Sequence, residues 1–386
     1  MTHSVLKCYF CGAEYTIDRN IYTCDECGNI LDVYHYDMEY SLTGLKGVWK
    51  YKNLIHPGIN EGTIISKGEG NTNLYSNSRI SEFSGIDKIF LKHEGENPTG
   101  SFKDRGMTVA VSEAMRLKFN KTLCASTGNT SAAAASYSSF AGIESYVIIP
   151  EKNISANKLF QAIAYGANIV DIEGDFDSAM DNVRKTIAKR NDFYVLNSLN
   201  PWRIEGQKTI IYEIMEKIKP DFITFPAGNL GNTSAFGKAL MDLKSLGVID
   251  DVPRLVAIQA EGASPFYNYI NGKQESIIPV KAETIASAIK IGNPVNYKKA
   301  KRSLEFTRGI VEKVSDDQIM EAKRAIDRAG IGCEPASAAA VAGVKKLRDA
   351  GIMHKGDTVA SILTGHILKD VSIIPEHKTL RISDIF

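Results

Sequence analysis

Between Ile89 and Leu363, short apolar runs alternate with longer stretches whose apolar residues recur every three or four positions. The short runs predict strands at Ile89–Lys92, Thr122–Ala125, Ser145–Ile149, Ile169–Ile172, Tyr194–Asn197, Phe222–Phe225, Leu255–Gln259 and Val359–Leu363. The longer period predicts helices around Phe102–Phe119, Asn157–Tyr165, Ser178–Arg190, Glu205–Ile218, Thr233–Leu246, Asp316–Ala329 and Pro335–Ala350. Strands that alternate with helices in this way pair mostly in parallel, because each helix carries the chain back across a sheet face. The expected fold class is therefore α/β, with parallel or mixed sheets covered by helices.

The front of the chain obeys neither period. Residues 38–88 are mixed, with turn signals at Gly58, Gly62, Gly68 and Gly70. Ahead of them, Cys8-Tyr9-Phe10-Cys11-Gly12 and Cys24-Asp25-Glu26-Cys27-Gly28 repeat one knuckle, twelve residues apart. Four thiolates at this spacing can meet a zinc ion tetrahedrally, and a glycine after each pair can take the left-handed turn that the knuckle needs. Residues 1–37 are thus expected to form a zinc-ribbon-like segment whose fully coordinated metal is structural. The alternative is a small hairpin of reduced cysteines that keeps its shape without metal. Cys124 and Cys333 stand alone, which argues against a disulfide framework.

A chain of 386 residues with 44% hydrophobic content can bury the cores of two domains besides that appendage. Lys and Arg total 46 against 45 for Asp and Glu, so no overall field draws the molecule to nucleic acid or an anionic membrane. Any anion must be held by a local site. No apolar run approaches the roughly 18 residues of a membrane span, and Met1 opens a polar segment without a leader pattern. The expected location is the cytoplasm.

Three segments carry candidate chemistry. Glu94-Gly95-Glu96-Asn97-Pro98-Thr99-Gly100-Ser101-Phe102-Lys103-Asp104-Arg105-Gly106 joins a predicted strand to a predicted helix. Thr99 or Ser101 can cap that helix, placing Lys103 in its first turn, where the positive helix end and partial burial both disfavour the ammonium form. A neutral amine can condense with an aldehyde or carry a proton, although most lysines at helix starts are simply solvated. Ala227-Gly228-Asn229-Leu230-Gly231-Asn232, between a strand and a helix, can converge backbone amides on a phosphate, or can be a plain glycine turn. In the segment from Asn197 to Thr209, Arg203 can grip a phosphate bidentately, Lys208 can add a point charge, and Asn197 and Ser198 can complete the shell. Solvated surface charge is the plainer reading there.

The first of these segments resembles the cofactor-lysine motif of threonine synthases, which belong to the tryptophan-synthase-β-like group of pyridoxal-phosphate enzymes. Further matches follow in the family's order: Ser126-Thr127-Gly128-Asn129-Thr130, Asn197 to Thr209, Pro226 to Asn232, Ile291 to Asn296, Glu334-Pro335-Ala336-Ser337-Ala338-Ala339 and Thr364-Gly365-His366. The resemblance implies pyridoxal 5'-phosphate as cofactor, with Lys103 as its attachment point and the main proton carrier. It implies Asn129 at the ring oxygen, Thr364 at the ring nitrogen, and Gly228, Asn229, Leu230, Gly231 and Asn232 around the cofactor phosphate. Ser126, Thr127 and Thr130 are implied to hold the substrate carboxylate. Asn197, Ser198, Arg203 and Lys208 are implied to hold the leaving phosphate of O-phosphohomoserine, whose γ-elimination and β-addition of water give threonine. It also implies a large domain built from residues 38–105 and 206–386, a small α/β domain over 106–205, and a homodimer.

Some positions depart from the family pattern. Asn73 stands where proline usually follows Gly-Asn-Thr, and Ile367 and Val371 replace the usual glycine and proline after Thr364-Gly365-His366. Bulk at Ile367 is expected to alter the pocket wall beside Thr364. The rival readings are a cysteate synthase using O-phosphoserine and sulfite, a threonine or serine dehydratase, and a binding module in which the ribbon docks a partner and the body is catalytically silent.

Overall fold

Three sheets organise the chain in a computed structural model that describes residues 3–150, 156–172 and 192–371. The helix expected over Ser178–Arg190 lies outside the described residues. At the front, β1 (His3–Lys7) pairs antiparallel with both β2 (Glu14–Thr16) and β3 (Asp32–Tyr36). The largest sheet has the order β12 (Ile310–Val314), β11 (Arg254–Ala260), β10 (Phe222–Pro226), β13 (Thr358–Leu363), β5 (Lys88–His93) and β4 (Leu74–Tyr75). Its pairs are parallel except at the β4 edge. A second parallel sheet has the order β8 (Asn168–Ile172), β7 (Glu144–Pro150), β6 (Lys121–Ala125) and β9 (Tyr194–Val195).

Burial explains why the strands read so clearly. All five residues of β10 are buried, as a strand covered by helices on both faces requires. β12 was not anticipated, because Glu312 and Lys313 interrupt its apolar run at the sheet edge. β9 stops two residues short of expectation. There the Asn197 side chain takes over the pairing: its Oδ1 accepts from the Ala125 N–H at 3.0 Å and its Nδ2 donates to the Ala125 carbonyl at 2.9 Å.

Two helices place the chemistry. Lys103–Arg116 follows β5, and Trp202–Lys217 follows β9 and begins three residues earlier than the apolar period suggested. They cross in tight contact through Gly106 and Gly206. A Cβ on Gly206 would lie 1.8 Å from the Arg105 carbonyl oxygen, and one on Gly106 would lie 2.7 Å from that of Arg203. Lys103 and Arg203 each precede their glycine by three residues, so the crossing brings both to one side of the joint. The expected cap differs from what forms. The N-cap is Phe102 with no side-chain cap, the Thr99 N–H and hydroxyl donate to Asp104 at 2.6 and 2.5 Å, and Ser101 Oγ accepts from the Lys103 N–H only at 3.4 Å.

The ribbon is docked onto the body through buried charge. His35 and Lys208 contact Glu205 at 3.0 and 2.5 Å, and Lys238 bonds Asp32, Glu205 and the Val33 carbonyl. Among the described residues no helix is long and apolar enough to cross a membrane.

Candidate active site

A cavity of about 1730 Å³ opens where the chain leaves β5, β6, β9, β10 and β13, at the carboxyl ends of the two parallel sheets. Ligands bind at such places because loops diverge there and helix N-termini converge. Lys103, Ser126, Thr127, Asn129, Thr130, Asn197, Ser198, Arg203, the loop from Gly228 to Asn232, and Thr364 all line it.

Lys103 is the first residue of its helix, and its amine has no hydrogen bond or ion pair with any described residue, lying 4.1 Å from the Phe102 ring centroid. Although it keeps partial exposure to the cavity, the walls part it from bulk water. Burial first, and the charge of Arg203 second, push its pKa down to about 7. The amine is therefore substantially neutral near neutral pH.

Arg203 is a buried cation that meets no anion among the described residues. Its Nη1 donates to the Leu196 carbonyl at 3.0 Å, Nε has no partner, and burial pushes its pKa down to about 10. A guanidinium in this state favours any anion that reaches it. Asn197 keeps one N–H beyond its two bonds to Ala125. Ser198 Oγ accepts from Asn229 Nδ2 at 3.0 Å, leaving its own proton available.

Asn229 ties this group to the glycine loop, its Oδ1 accepting from the Val295 N–H at 2.9 Å. The loop ends in Leu230, which adopts φ +63°, and enters the helix Gly231–Ser245. Among the described residues the backbone N–H groups of Gly228, Asn229, Leu230, Gly231 and Asn232 have no acceptor. Five consecutive free amides at the N-terminus of a fifteen-residue helix are suited to cradle a phosphate.

Opposite, Asn129 opens the helix Asn129–Phe140, and its Nδ2 donates to Glu334 Oε1 and Oε2 at 3.1 and 3.0 Å. Thr364 Oγ1 lies 3.0 Å from Ser337 Oγ and donates weakly to Glu334 at 3.4 Å. Glu334 thus joins the two side chains implied to touch a cofactor ring, and burial pushes its carboxyl pKa up. Sequence reasoning matched Glu334 without giving it a role; an acid placed just before a helix-opening proline was the available signal.

Two expectations need correction. Lys208 lies outside the cavity, its amine donating to Asp242 at 2.8 Å and to the Leu54 carbonyl at 2.9 Å and contacting Glu205 at 2.5 Å. It is spent on the fold, since its position on the helix faces away from Arg203. Ile367 packs on Gly332 and is absent from the cavity wall, so its bulk does not reshape the pocket as expected. Asn73 also lies off the wall. Its backbone N–H donates to Glu96 at 2.7 Å, a bond that proline could not make.

The free amine, the amide cradle and the Asn129–Glu334–Thr364 cluster fit a phosphate-bearing aldehyde with a polar aromatic ring. The family described as "pyridoxal-phosphate dependent enzyme" matches residues 65–365. The chain is 47% identical over 376 residues to a threonine synthase of Methanosarcina acetivorans, covering 95% of this chain and 92% of that protein. It is 44% identical over 377 residues to one from Methanocaldococcus jannaschii, covering 94% and 92%. Among solved structures, maize serine racemase superposes with a TM-score of 0.69 at 20% identity over 84% of this chain and 93% of that one, a likeness of fold alone. The chain belongs to the pyridoxal-phosphate-dependent enzymes and, within them, to the threonine synthase family.

In the ribbon, the four sulfurs of Cys8, Cys11, Cys24 and Cys27 lie within 4.8 Å of one another. Gly12 and Gly28 take φ of +80° and +69°, and each donates its N–H to the carbonyl of the first cysteine of its pair at 2.9 Å. This donor set fits a tetrahedral thiophilic metal.

Proposed function

We propose that this chain converts O-phospho-L-homoserine and water to L-threonine and phosphate, using pyridoxal phosphate attached to Lys103. One observation carries the reading. One cavity is lined by a loop of free amides, by a buried Arg203 that meets no anion among the described residues, and by one neutral-prone amine, which suits a substrate and a cofactor that each carry a phosphate. A dehydratase acting on free threonine or serine has only the cofactor's phosphate to hold.

The cofactor, when bound, withdraws electrons from the substrate carbons next to the amine and so acidifies their protons. The amides of Gly228 to Asn232 would hold its phosphate, Asn129 would bond its ring oxygen and Thr364 its ring nitrogen. A hydroxyl at that nitrogen cannot keep it protonated as a carboxylate would, which moderates electron withdrawal. Ser126, Thr127 and Thr130 hold the substrate carboxylate with hydroxyls and helix-start amides. Lys103 Nζ removes the proton at Cα and then one at Cβ, its pKa of about 7 suiting it to both directions of transfer. Arg203, Asn197 and Ser198 take the phosphate as its bond to Cγ breaks. One proton returns to Cγ, water adds its hydroxyl at Cβ and gives up its other proton, a proton returns to Cα to complete threonine, and the remaining proton leaves with the phosphate.

In the ribbon, zinc held by the four thiolates leaves no open coordination position, so its role is structural. Such reduced thiols suit the cytoplasm.

The test is absorbance and phosphate release for wild type beside Lys103→Ala. Wild type should be yellow and release phosphate from O-phosphohomoserine, while the variant is colourless and inactive. Faster phosphate release from O-phosphoserine with sulfite, or an active Lys103→Ala, would overturn the reading.

A further inference from the structure

We infer that Gln207 is a specificity-determining residue of the leaving-group site, its side-chain amide binding the substrate phosphate alongside Arg203. The inference rests on the reading that this cavity takes a phosphorylated substrate. Gln207 is 3% exposed yet lines the cavity. Its Oε1 is buried without a partner, and its side chain bonds to no described residue. A buried amide left in this state is destabilising, and one that also lines a cavity is placed to be met by what enters it.

Its position says what that is. Gln207 follows Arg203 by four residues and therefore stacks beneath it on one helix face. Arg203 Nε is also unpartnered, so the two vacant polar groups on this helix are neighbours. The next residue, Lys208, is rotated about 100° away and fully committed to Glu205, Asp242 and Leu54. Gly106 lies against the amide: a Cβ there would come within 3.1 Å of Gln207 Nε2. The side chain is thereby confined to the joint between the Lys103 and Arg203 helices, where the bond to the leaving group must break. Because the unpartnered Oε1 only accepts, phosphate binding turns this amide over to aim Nε2–H at the dianion, a rotation that no hydrogen bond to a described residue opposes and that adds no charge beside Lys103. A carboxylic ester or free hydroxyl offers a weaker acceptor, so the contact favours phosphate.

The experiment measures the KM for O-phosphohomoserine and the Kd of the holoenzyme for inorganic phosphate. In the holoenzyme the cofactor occupies the amide loop, so added phosphate reports the Arg203 site. Gln207→Met keeps volume and removes hydrogen bonding; it should raise both constants about tenfold, with cofactor absorbance unchanged and thermal midpoint unchanged or higher. Gln207→Glu should raise them more, about a hundredfold, because its carboxylate faces the dianion. A purely packing role predicts a lower thermal midpoint and unchanged phosphate binding, and that result in either folded variant overturns the inference. Wild-type holoenzyme that neither binds phosphate nor releases it from O-phosphohomoserine would instead refute the proposed function.

Discussion

Arg105 and Arg203 are both buried, on helices that touch at Gly106 and Gly206, and they meet opposite surroundings. Arg105 Nε and Nη2 donate to Glu94 at 2.6 and 2.8 Å, and Nη1 and Nη2 to Glu213, both at 2.7 Å. Thr209 and Thr72 add further acceptors at 3.0 and 3.3 Å, and Lys92 balances Glu213 at 2.6 Å. Burial opposes the charge, but the two glutamates outweigh it and hold the Arg105 pKa above its ordinary value. Among the described residues Arg203 meets one carbonyl and no carboxylate. The fold completes the first guanidinium by itself and leaves the second to a ligand. A buried cation therefore indicates a site by the partners it lacks.

The comparison is sharpest in stability. Arg105→Met strands Glu94 as a buried carboxylate, leaves Glu213 only the Lys92 cation and should cost about 3–5 kcal/mol in denaturant unfolding, whereas Arg203→Met should leave stability unchanged or raised. Equal losses in the two variants would erase the distinction. In ligand binding the order reverses. Arg203→Met should raise the KM for O-phosphohomoserine at least about 30-fold, the lower end for removing one member of a buried charge pair.

The smallest effect is on Lys103. The apo protein, reductively methylated with ¹³C-formaldehyde and followed by NMR, should show the Lys103 amine titrating near pH 7, and Arg203→Met should move that midpoint upward. Because the folded pKa lies below the ordinary 10.5, the unfolded chain holds a proton that the folded chain has released between those values. The Lys103 contribution to apo stability should therefore rise with pH across that window, and Lys103→Met should abolish it. A midpoint near 10.5 would remove the basis for its catalytic role.

The parts that were legible are local. β10 and β13 announce themselves because parallel strands between helices are nearly continuously apolar, broken inside the sheet only by Thr224 and Ser361. The four cysteines announce a cluster because two turns of fixed geometry present them. β12 was illegible because an edge strand tolerates charge. The start of the Trp202 helix was illegible because Asn200 Oδ1 accepts from the Trp202 N–H at 3.0 Å and sets the boundary ahead of the first apolar repeat. Glu334 was quoted without a function, since nothing near it in sequence shows that Asn129, 205 residues away, donates to it.

Sequence alone determined most of the central strands and their alternation with helices, the knuckle, and the residue types that could meet an aldehyde and two phosphates, because periodicity and turn chemistry act over a few residues. Only the tertiary structure decided which charges were spent. Lys208 and Gln207 are adjacent in the chain, yet Asp242, 34 residues from Lys208, claims the lysine and nothing claims the glutamine. Arg105 finds Glu213 across 108 residues, while Arg203 finds no acid among the described residues. A side chain's function in a low-dielectric interior is set by the groups within about 4 Å of it, and those are chosen by packing, not by neighbours in the chain.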